Sequence, residues 1–296
     1  MSVAGPDLRL PELLVAKVVA EALAEDLGEA GDITTVATVA PGARAAGAIA
    51  ARKPGVVAGL QIAEAAFRAL DENVDFEVLI RDGERVQAGQ QIARVAGDAG
   101  ALLTAERVAL NFLGHMSGIA TLTSSYMNKI SGTRAKIIDT RKTTPGLRAF
   151  EKLAVRAGGG LNHRFGLFDA ILVKDNHIIA AGGIGVALNK ARERAGHMVK
   201  VEIEVATIAE LSEALAHKPD AVLLDNMPVA TLKEAVAEVA GRAITEASGG
   251  VNLDTVRAIA ETGVDLISVG ALTHSAPVLD IGLDFEQDGR GPELGG

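Results

Sequence analysis

The chain has no cysteine, which excludes disulfides, thiolate metal sites and a Cys nucleophile. It has no Trp and a single Tyr, so base stacking on aromatic platforms has almost nothing to build on. Cations are scarce too: 29 Lys and Arg stand against 38 Asp and Glu, for a net charge of −9. A basic nucleic-acid footprint is missing. No apolar run reaches the ~18–20 residues that a membrane span needs. The opening MSVAGPDLRLPE has no charged n-region followed by an apolar h-region. No secretory signal is read from it, and a cytoplasmic chain is expected. Neither nucleic acid nor membrane is expected as a partner.

What is present is a long apolar complement. Over 296 residues, 48% are hydrophobic, enough for two modest domains or one barrel with an appendage. Residues 10–27 space Leu, Val and Ala as a helix does. GDITT (Gly31–Thr35) is expected to break that helix and lead into extended chain. Residues 44–60 and 74–97 read as strands around a helix at about 60–70, with turns at Asp82-Gly83 and Ala88-Gly89. A second long helix is expected from about Thr104 to Lys129, with Thr104 as its N-cap and Arg107 in its first turns. From residue 135 short apolar strands alternate with helical segments: Ala135–Thr140, Ala170–Val173, Val199–Val205, Ala221–Leu224, Ala243–Glu246 and Leu266–Val269. This alternation argues for an α/β chain with a parallel sheet closed, or nearly closed, into a barrel. Six strands leave the standard eight-fold barrel short. The tail Asp284–Gly296 is polar and Gly-rich and is expected to be loosely attached.

Each of these strands ends in polar or glycine residues. They are Asp139 to Thr144, then Lys174 to His177, Glu202 and Glu204, Asp225-Asn226, Ser248-Gly249-Gly250, and Val269-Gly270-Ala271. The C-terminal mouth of a parallel barrel is where ligands bind. In VKVEIEV, Val199, Val201, Ile203 and Val205 share one face of the strand, and Lys200, Glu202 and Glu204 the other. The charged face is expected to point inward, with Lys200 partnering Glu202 below and Glu204 open above. The glycine-rich endings suit a phosphate, because backbone N–H groups can approach its oxygens closely. Seven Lys or Arg lie between Arg141 and Lys174, against only Glu151 and Asp169. Lys152 and Arg156, spaced i, i+4 on a helix, are assigned to the surface. Arg141, Lys142, Arg164 and Lys174 fall at strand ends or in loops, where they can converge on carboxylates. Acids at the same mouth fit Mg²⁺ held through water, ribose hydroxyls, or developing positive charge. Together these residues suggest a phosphorylated sugar and a carboxylate co-substrate.

DTRKTTPGLR (Asp139–Arg148), AVRAGGGLNHRFGLFDAILVKDNH (Ala154–His177), LLDNM (Leu223–Met227) and EASGG (Glu246–Gly250) resemble the quinolinate phosphoribosyltransferases. GDITT and TAERVALNFLGHMSGIAT (Thr104–Thr121) match that family's N-terminal half. The resemblance implies an N-terminal open α/β sandwich beside an incomplete, TIM-like α/β barrel. The expected division is 1–115 for the capping domain, 116–275 for the barrel and 276–296 for the C-terminal segment. The implied reaction joins quinolinate to phosphoribosyl pyrophosphate (PRPP), with Mg²⁺, to give nicotinate mononucleotide, pyrophosphate and CO₂ in de novo NAD biosynthesis. A homodimer or larger assembly is implied, with a composite active site. By position, Arg141, His163, Arg164 and Lys174 are expected at the two carboxylates, and Arg107 reaches in from the neighbouring subunit. Lys142 is expected to contact substrate and pyrophosphate near the reacting centre, and Thr140 is expected to bind substrate. Glu204 and Asp225 face the ribose with Mg²⁺ nearby, and no residue is assigned as a direct metal ligand. Ser248, Gly249, Gly250, Val269, Gly270 and Ala271 take the 5′-phosphate.

Other readings compete. His163 can be a hydrogen-bonded loop histidine, Arg107 a helix-surface charge, and Glu202 the ribose-facing acid in place of Glu204. Lys174 as a Schiff-base lysine needs a lowered pKa, and adjacent Asp175 favours a charged one. His177 is read as structural. His115, His197, His217 and His274 show no zinc-ligand spacing. IRDGERVQAGQQIARV (Ile80–Val95) resembles the hairpin of biotinyl carrier domains, but no lysine occurs between Lys53 and Lys129. A phosphoribosyltransferase with a different acceptor is the stronger alternative.

Overall fold

The computed structural model describes residues 8–286. The chain forms two compact units. One gathers the N-terminal segment through Leu122 with Ala149–Gly159 and the described C-terminal residues from Ala276; the other holds Thr123–Arg148 and Gly160–Ser275. In chain order the elements begin with α1 (Glu12–Leu27), α2 (Ile33–Thr38), β1 (Arg44–Ala51), β2 (Gly55–Val56), α3 (Leu60–Arg68), β3 (Asp75–Val78), β4 (Arg85–Val86), β5 (Gln91–Asp98) and the long α4 (Ala99–Lys129). There follow β6 (Lys136–Ile138), α5 (Arg148–Ala157), β7 (Ile171–Val173), α6 (Asp175–Ala181), α7 (Ile184–Arg194), β8 (Val201–Val205) and α8 (Ile208–Ala216). Then come β9 (Ala221–Asp225), α9 (Val229–Val239), β10 (Ile244–Ser248), α10 (Val256–Ala260), β11 (Leu266–Ser268), α11 (Ala271–His274) and β12 (Ile281–Phe285).

In the first unit, helices pack with a four-stranded antiparallel sheet of order β12-β1-β5-β3. Helix α1 buries Val15, Val19 and Leu23, one face at a spacing of four. Against it lies α3, which buries Ile62, Ala63, Ala66 and Phe67. The central strand β1 is built from small residues (RAAGAIAA) because its neighbours come close. A Cβ on Gly47 would stand 2.8 Å from the Asp284 carbonyl oxygen.

Four expectations are corrected here. GDITT leads into a short helix, not extended chain, because the Asp32 carboxylate accepts the Thr35 N–H at 2.9 Å and caps α2. Thr104 lies inside α4 instead of at its start. Asp98 accepts from the Ala101 N–H at 2.9 Å, and the Thr104 hydroxyl donates to Asp32 at 3.0 Å. Lys152 is buried, unlike Arg156, because α5 is enclosed by its own unit; neighbouring Glu151 meets His115 Nε2 at 2.9 Å. The tail starts as strand: Asp284 pairs with Ala48 and Phe285 with Gly47. Arg52 forks onto the Asp284 carboxylate at 2.8 and 2.6 Å, which fastens β12. Residues 287–296 of that tail lie outside the described residues. The carrier-like stretch has no strand ladder within itself: β4 pairs with β2 and β5 with β1 and β3, and its two arms are joined by the Ile80 N–H donating to the Ile92 carbonyl at 3.0 Å.

The second unit carries a six-stranded parallel sheet of order β6-β11-β10-β9-β8-β7. Parallel neighbours need long crossovers, and the helical segments supply them. All six expected barrel strands are present, each end within two residues of the expected one; β9 and β10 run one and two residues further at their C-terminal ends. Consecutive strands β7 to β11 lie side by side, and β6 closes onto β11. β6 and β7 are the two edges of the sheet and share no ladder; a single parallel bridge instead pairs Ile138 of β6 with Leu161, in the segment between α5 and β7. The barrel is therefore incomplete and TIM-like. In β8, Val201, Ile203 and Val205 are buried on one face, as the alternation predicts. Lys200 precedes the paired strand and stays exposed. It meets Asp220 at 2.8 Å, not Glu202.

Candidate active site

A cavity of about 830 Å³ opens in the second unit at the C-terminal ends of the strands. Strand alternation builds it in two levels. The rim carries Thr140, Lys174, Glu204, Asp225, Ser248 and Gly270. Two residues down the strands, Leu172, Leu223, Glu246 and Ser268 form the floor. Arg141, Lys142, His163, Arg164, Gly249, Gly250, Val269 and Ala271 complete the expected set around it. Of the residues read from sequence, Arg107 is not among the lining groups. It lies on α4 in the first unit, largely exposed and 3.9 Å from Glu106.

The cations are held at defined places. Arg164 is half-buried and donates through Nη1 to the Ala170 carbonyl at 3.1 Å. Burial, and then the nearby Arg141 guanidinium, push its pKa below the ordinary arginine value. Glu202 and Asp169 act on it in the opposite sense. Arg148 ties the loops beneath them: Nε donates to Thr143 Oγ1 at 3.0 Å and Nη1 to the Phe165 carbonyl at 3.1 Å. The Lys142 backbone is fixed on both sides. Its N–H donates to Thr140 Oγ1 at 3.0 Å, and its carbonyl accepts from the Thr273 hydroxyl at 2.7 Å. Its side chain passes Gly270, whose absent Cβ would lie 3.2 Å from Lys142 Cδ. Lys174 pairs with Glu204 across the rim.

Two histidines are held by backbone N–H groups. His163 Nδ1 accepts the Arg164 backbone N–H at 2.6 Å, so its proton sits on Nε2. Nε2 faces Glu202 Oε2 at 3.0 Å and Glu246 Oε2 at 3.4 Å. His177 Nδ1 likewise accepts the Lys174 N–H at 2.9 Å, which is the structural role read for it. Asp139, fully buried, accepts from the His163 N–H at 2.9 Å and from Asn162 Nδ2 at 2.5 Å, and so positions the histidine loop.

Glu246 was not singled out from the sequence, although EASGG contains it. The only cue available was its position two residues before Ser248 on one strand face. It is 1% exposed, and burial followed by the charge of Glu202 raises its pKa to about 8. Ligand atoms of His163, Glu202 and Glu246 lie within 4.8 Å of one another. Two of the three are carboxylates, whose like charges repel at this range. A proton on Glu246 relieves the same repulsion.

The phosphate-type loop is geometrically strict. Gly249 and Gly250 have φ of +91° and +62°, and a Cβ on Gly249 would lie 2.1 Å from Asn226 Oδ1. Asn226 in turn donates to Asp225 Oδ2 at 2.8 Å. Gly249→Ala is expected to weaken binding of a phosphate-bearing ligand at least ~10-fold, the equivalent of one hydrogen bond to a charged group. Calorimetry of wild type and variant with a phosphorylated sugar checks it.

Comparison with known proteins places this site in a family. The quinolinate phosphoribosyl transferase N-terminal domain matches residues 32–117, and the C-terminal domain of the same family matches 119–284. The nicotinate-nucleotide pyrophosphorylase (carboxylating) of Mycobacterium leprae is 49% identical over 272 residues, covering 89% of this chain and 94% of the relative. A probable enzyme of the same name from Bacillus subtilis is 46% identical over 260 residues, covering 88% and 89%. The solved structure of the nicotinate-nucleotide pyrophosphorylase from Francisella tularensis superposes with a TM-score of 0.90 at 40% identity, covering 94% of this chain and 98% of that one. The chain belongs to the quinolinate phosphoribosyltransferase family.

Proposed function

We propose that this chain transfers the phosphoribosyl group of PRPP to the ring nitrogen of quinolinate, and that the product, after loss of CO₂, is nicotinate mononucleotide for NAD biosynthesis. The observation that carries this reading is the pair Arg141 and Arg164, held together beside Lys142 and Lys174 around one cavity. A ligand with two adjacent carboxylates can accept charge-assisted bonds from both guanidinium groups. A monocarboxylate accepts fewer.

In this reading Arg141, Arg164 and Lys174 take the two carboxylates, with His163 holding the Arg164 backbone and Glu202 behind them. Lys142 lies at the reacting centre, where the bond from C1 to pyrophosphate breaks as the bond from ring nitrogen to C1 forms. Glu204 and Asp225 face the ribose, on which positive charge builds. The loops at Ser248–Gly250 and Val269–Ala271 take the 5′-phosphate. Glu204 and Asp225, hard oxygen donors at the rim, would hold Mg²⁺, which prefers that ligand type. When bound, it neutralises charge on the pyrophosphate group. A homodimer belongs to the proposal, because Arg107 then reaches the cavity from a second copy. Light scattering would test the dimer. A cytoplasmic location also belongs to it, and cell fractionation would test that. No helix among the described residues is long and apolar enough to cross a membrane.

The decisive assay supplies PRPP and Mg²⁺ with quinolinate or nicotinate in parallel. Nicotinate mononucleotide and CO₂ are expected from quinolinate only. Product from nicotinate alone would overturn the diacid reading. Silence with both from folded protein would overturn the acceptor assignment.

A further inference from the structure

The proposed reaction leaves one proton unaccounted for. When CO₂ departs, the pyridine carbon that carried it holds an electron pair beside the ring N⁺ and must be protonated. The cations at the cavity rim are already committed to carboxylates and phosphates. Among the acids, Glu204 pairs with Lys174, Asp225 accepts from Asn226, and Glu202 accepts from His163. Glu246 faces His163 through Oε2 at 3.4 Å but keeps its other oxygen free. Its Oε1 is the one buried side-chain N or O atom among the described residues that has no hydrogen-bond partner. It belongs to the cavity floor, at the centre of the sheet on β10.

We propose that Glu246 is the acid that protonates C2 of the pyridine after decarboxylation. The proposal rests on the reading of the chain as a quinolinate phosphoribosyltransferase. The bond from C2 to its carboxylate breaks, the electron pair stays on C2, and CO₂ leaves. The O–H bond of Glu246 then gives its proton to C2, and Glu246 is left as a carboxylate. Water returns the proton on product release, so the cycle balances without another reactant.

The surroundings keep that proton in place. Glu202 faces Glu246 from β8, and their like charges cannot both be accommodated in a buried site. His163, from the loop before β7, has one proton on Nε2 and sits closer to Glu202 than to Glu246, at 3.0 against 3.4 Å. β9 and β11 present Leu223 and Ser268 at this level, neither of which titrates in this range. Arg141, Lys142, Lys174, Glu204 and Asp225 lie at the rim above. Burial and Glu202 raise the carboxyl to about 8, so it is a neutral acid at pH 7. The rate should therefore be level below about pH 8 and fall above it. Stability follows the same sign: the contribution is fully present below the ordinary carboxyl value of 4.5 and is lost as pH rises through about 8.

The test compares wild type, Glu246→Gln and Glu246→Asp from pH 6 to 9.5. Quinolinate affinity is measured by calorimetry, melting by circular dichroism, and turnover by nicotinate mononucleotide formation. A parallel reaction in equal H₂O and D₂O reads deuterium at product C2 by mass. Glu246→Gln is expected to melt cooperatively, with a weaker decline between pH 5 and 8, and to bind quinolinate within threefold of wild type. Its kcat should drop at least ~10²-fold, the usual scale for a general acid. It should lose the basic limb of the pH profile and change the deuterium content at C2, because water then supplies the proton. Glu246→Asp should keep the limb at reduced rate. An active wild type with a Gln variant of unchanged kcat, or one that keeps both limb and deuterium content, would overturn the proton-donor role alone. Equal losses in binding and kcat would make Glu246 a structural residue and overturn it as well. A wild type silent with quinolinate would sink the transferase reading, and this inference with it.

Discussion

Lys142→Ala is expected to lower kcat at least ~10²-fold while leaving quinolinate and PRPP binding within a few-fold of wild type. The reason lies in how firmly the backbone of Lys142 is held. Thr140 and Thr273 fix its N–H and carbonyl from opposite sides, and Gly270 leaves a lane for its side chain. Reorganisation on reaction is small for a charge placed this way. Removing one preorganised group that acts on developing charge costs about 2.7–4 kcal/mol of transition-state stabilisation. Single-turnover kinetics with quinolinate in excess isolates the chemical step from product release. A variant that loses KM but keeps kcat would make Lys142 a binding residue only. Thr273→Val offers a milder companion: it frees the Lys142 carbonyl and should reproduce part of the kcat loss with the lysine still present.

The barrel was legible from sequence because each of its strands is a short apolar run followed by polar residues. Period-2 alternation is local, so VEIEV declares which face is inward without any knowledge of its neighbours. The rim followed from the same logic, as the ends of six strands must share one mouth. Contacts between distant strands were not legible. Lys200 and Glu202 are neighbours on one face in sequence, yet Lys200 lies before the paired strand and finds Asp220 from the next one. The buried group of His163, Glu202 and Glu246 joins residues up to 83 positions apart in the chain, and no local spacing announces it. Lys152 shows the same limit in the other direction. A charged residue at i, i+4 from an arginine reads as surface, but enclosure of α5 overrides that pattern. β12 was hidden because its pairing partner, β1, lies more than 200 residues earlier.

Arg164→Ala is expected to cut kcat/KM for quinolinate by ~10²–10³-fold, with the KM for PRPP little changed. Charge-assisted bonds from a partly buried guanidinium to a carboxylate contribute the most that a single side chain can offer here, and truncating one such partner costs about 2–5 kcal/mol. Arg164→Lys should recover little, since an ammonium cannot fork onto a carboxylate as a guanidinium does. The free protein should respond in the opposite sense. In the unliganded site Arg164 is penalised by burial and by Arg141, so its removal relieves a penalty that offsets the lost bond to the Ala170 carbonyl. The ligand-free melting temperature is therefore expected to hold or rise, while the upward shift produced by saturating quinolinate disappears. For wild type that shift corresponds to about 2.7 kcal/mol at a hundredfold excess over Kd. Paired melting curves with and without quinolinate separate the two effects. A variant that melts much lower and still gains from quinolinate would mean that Arg164 is a structural cation, and the diacid clamp would then rest on Arg141 and Lys174. The expected pattern, stable protein without ligand response, is that of a site strained in the free state and completed by its substrate.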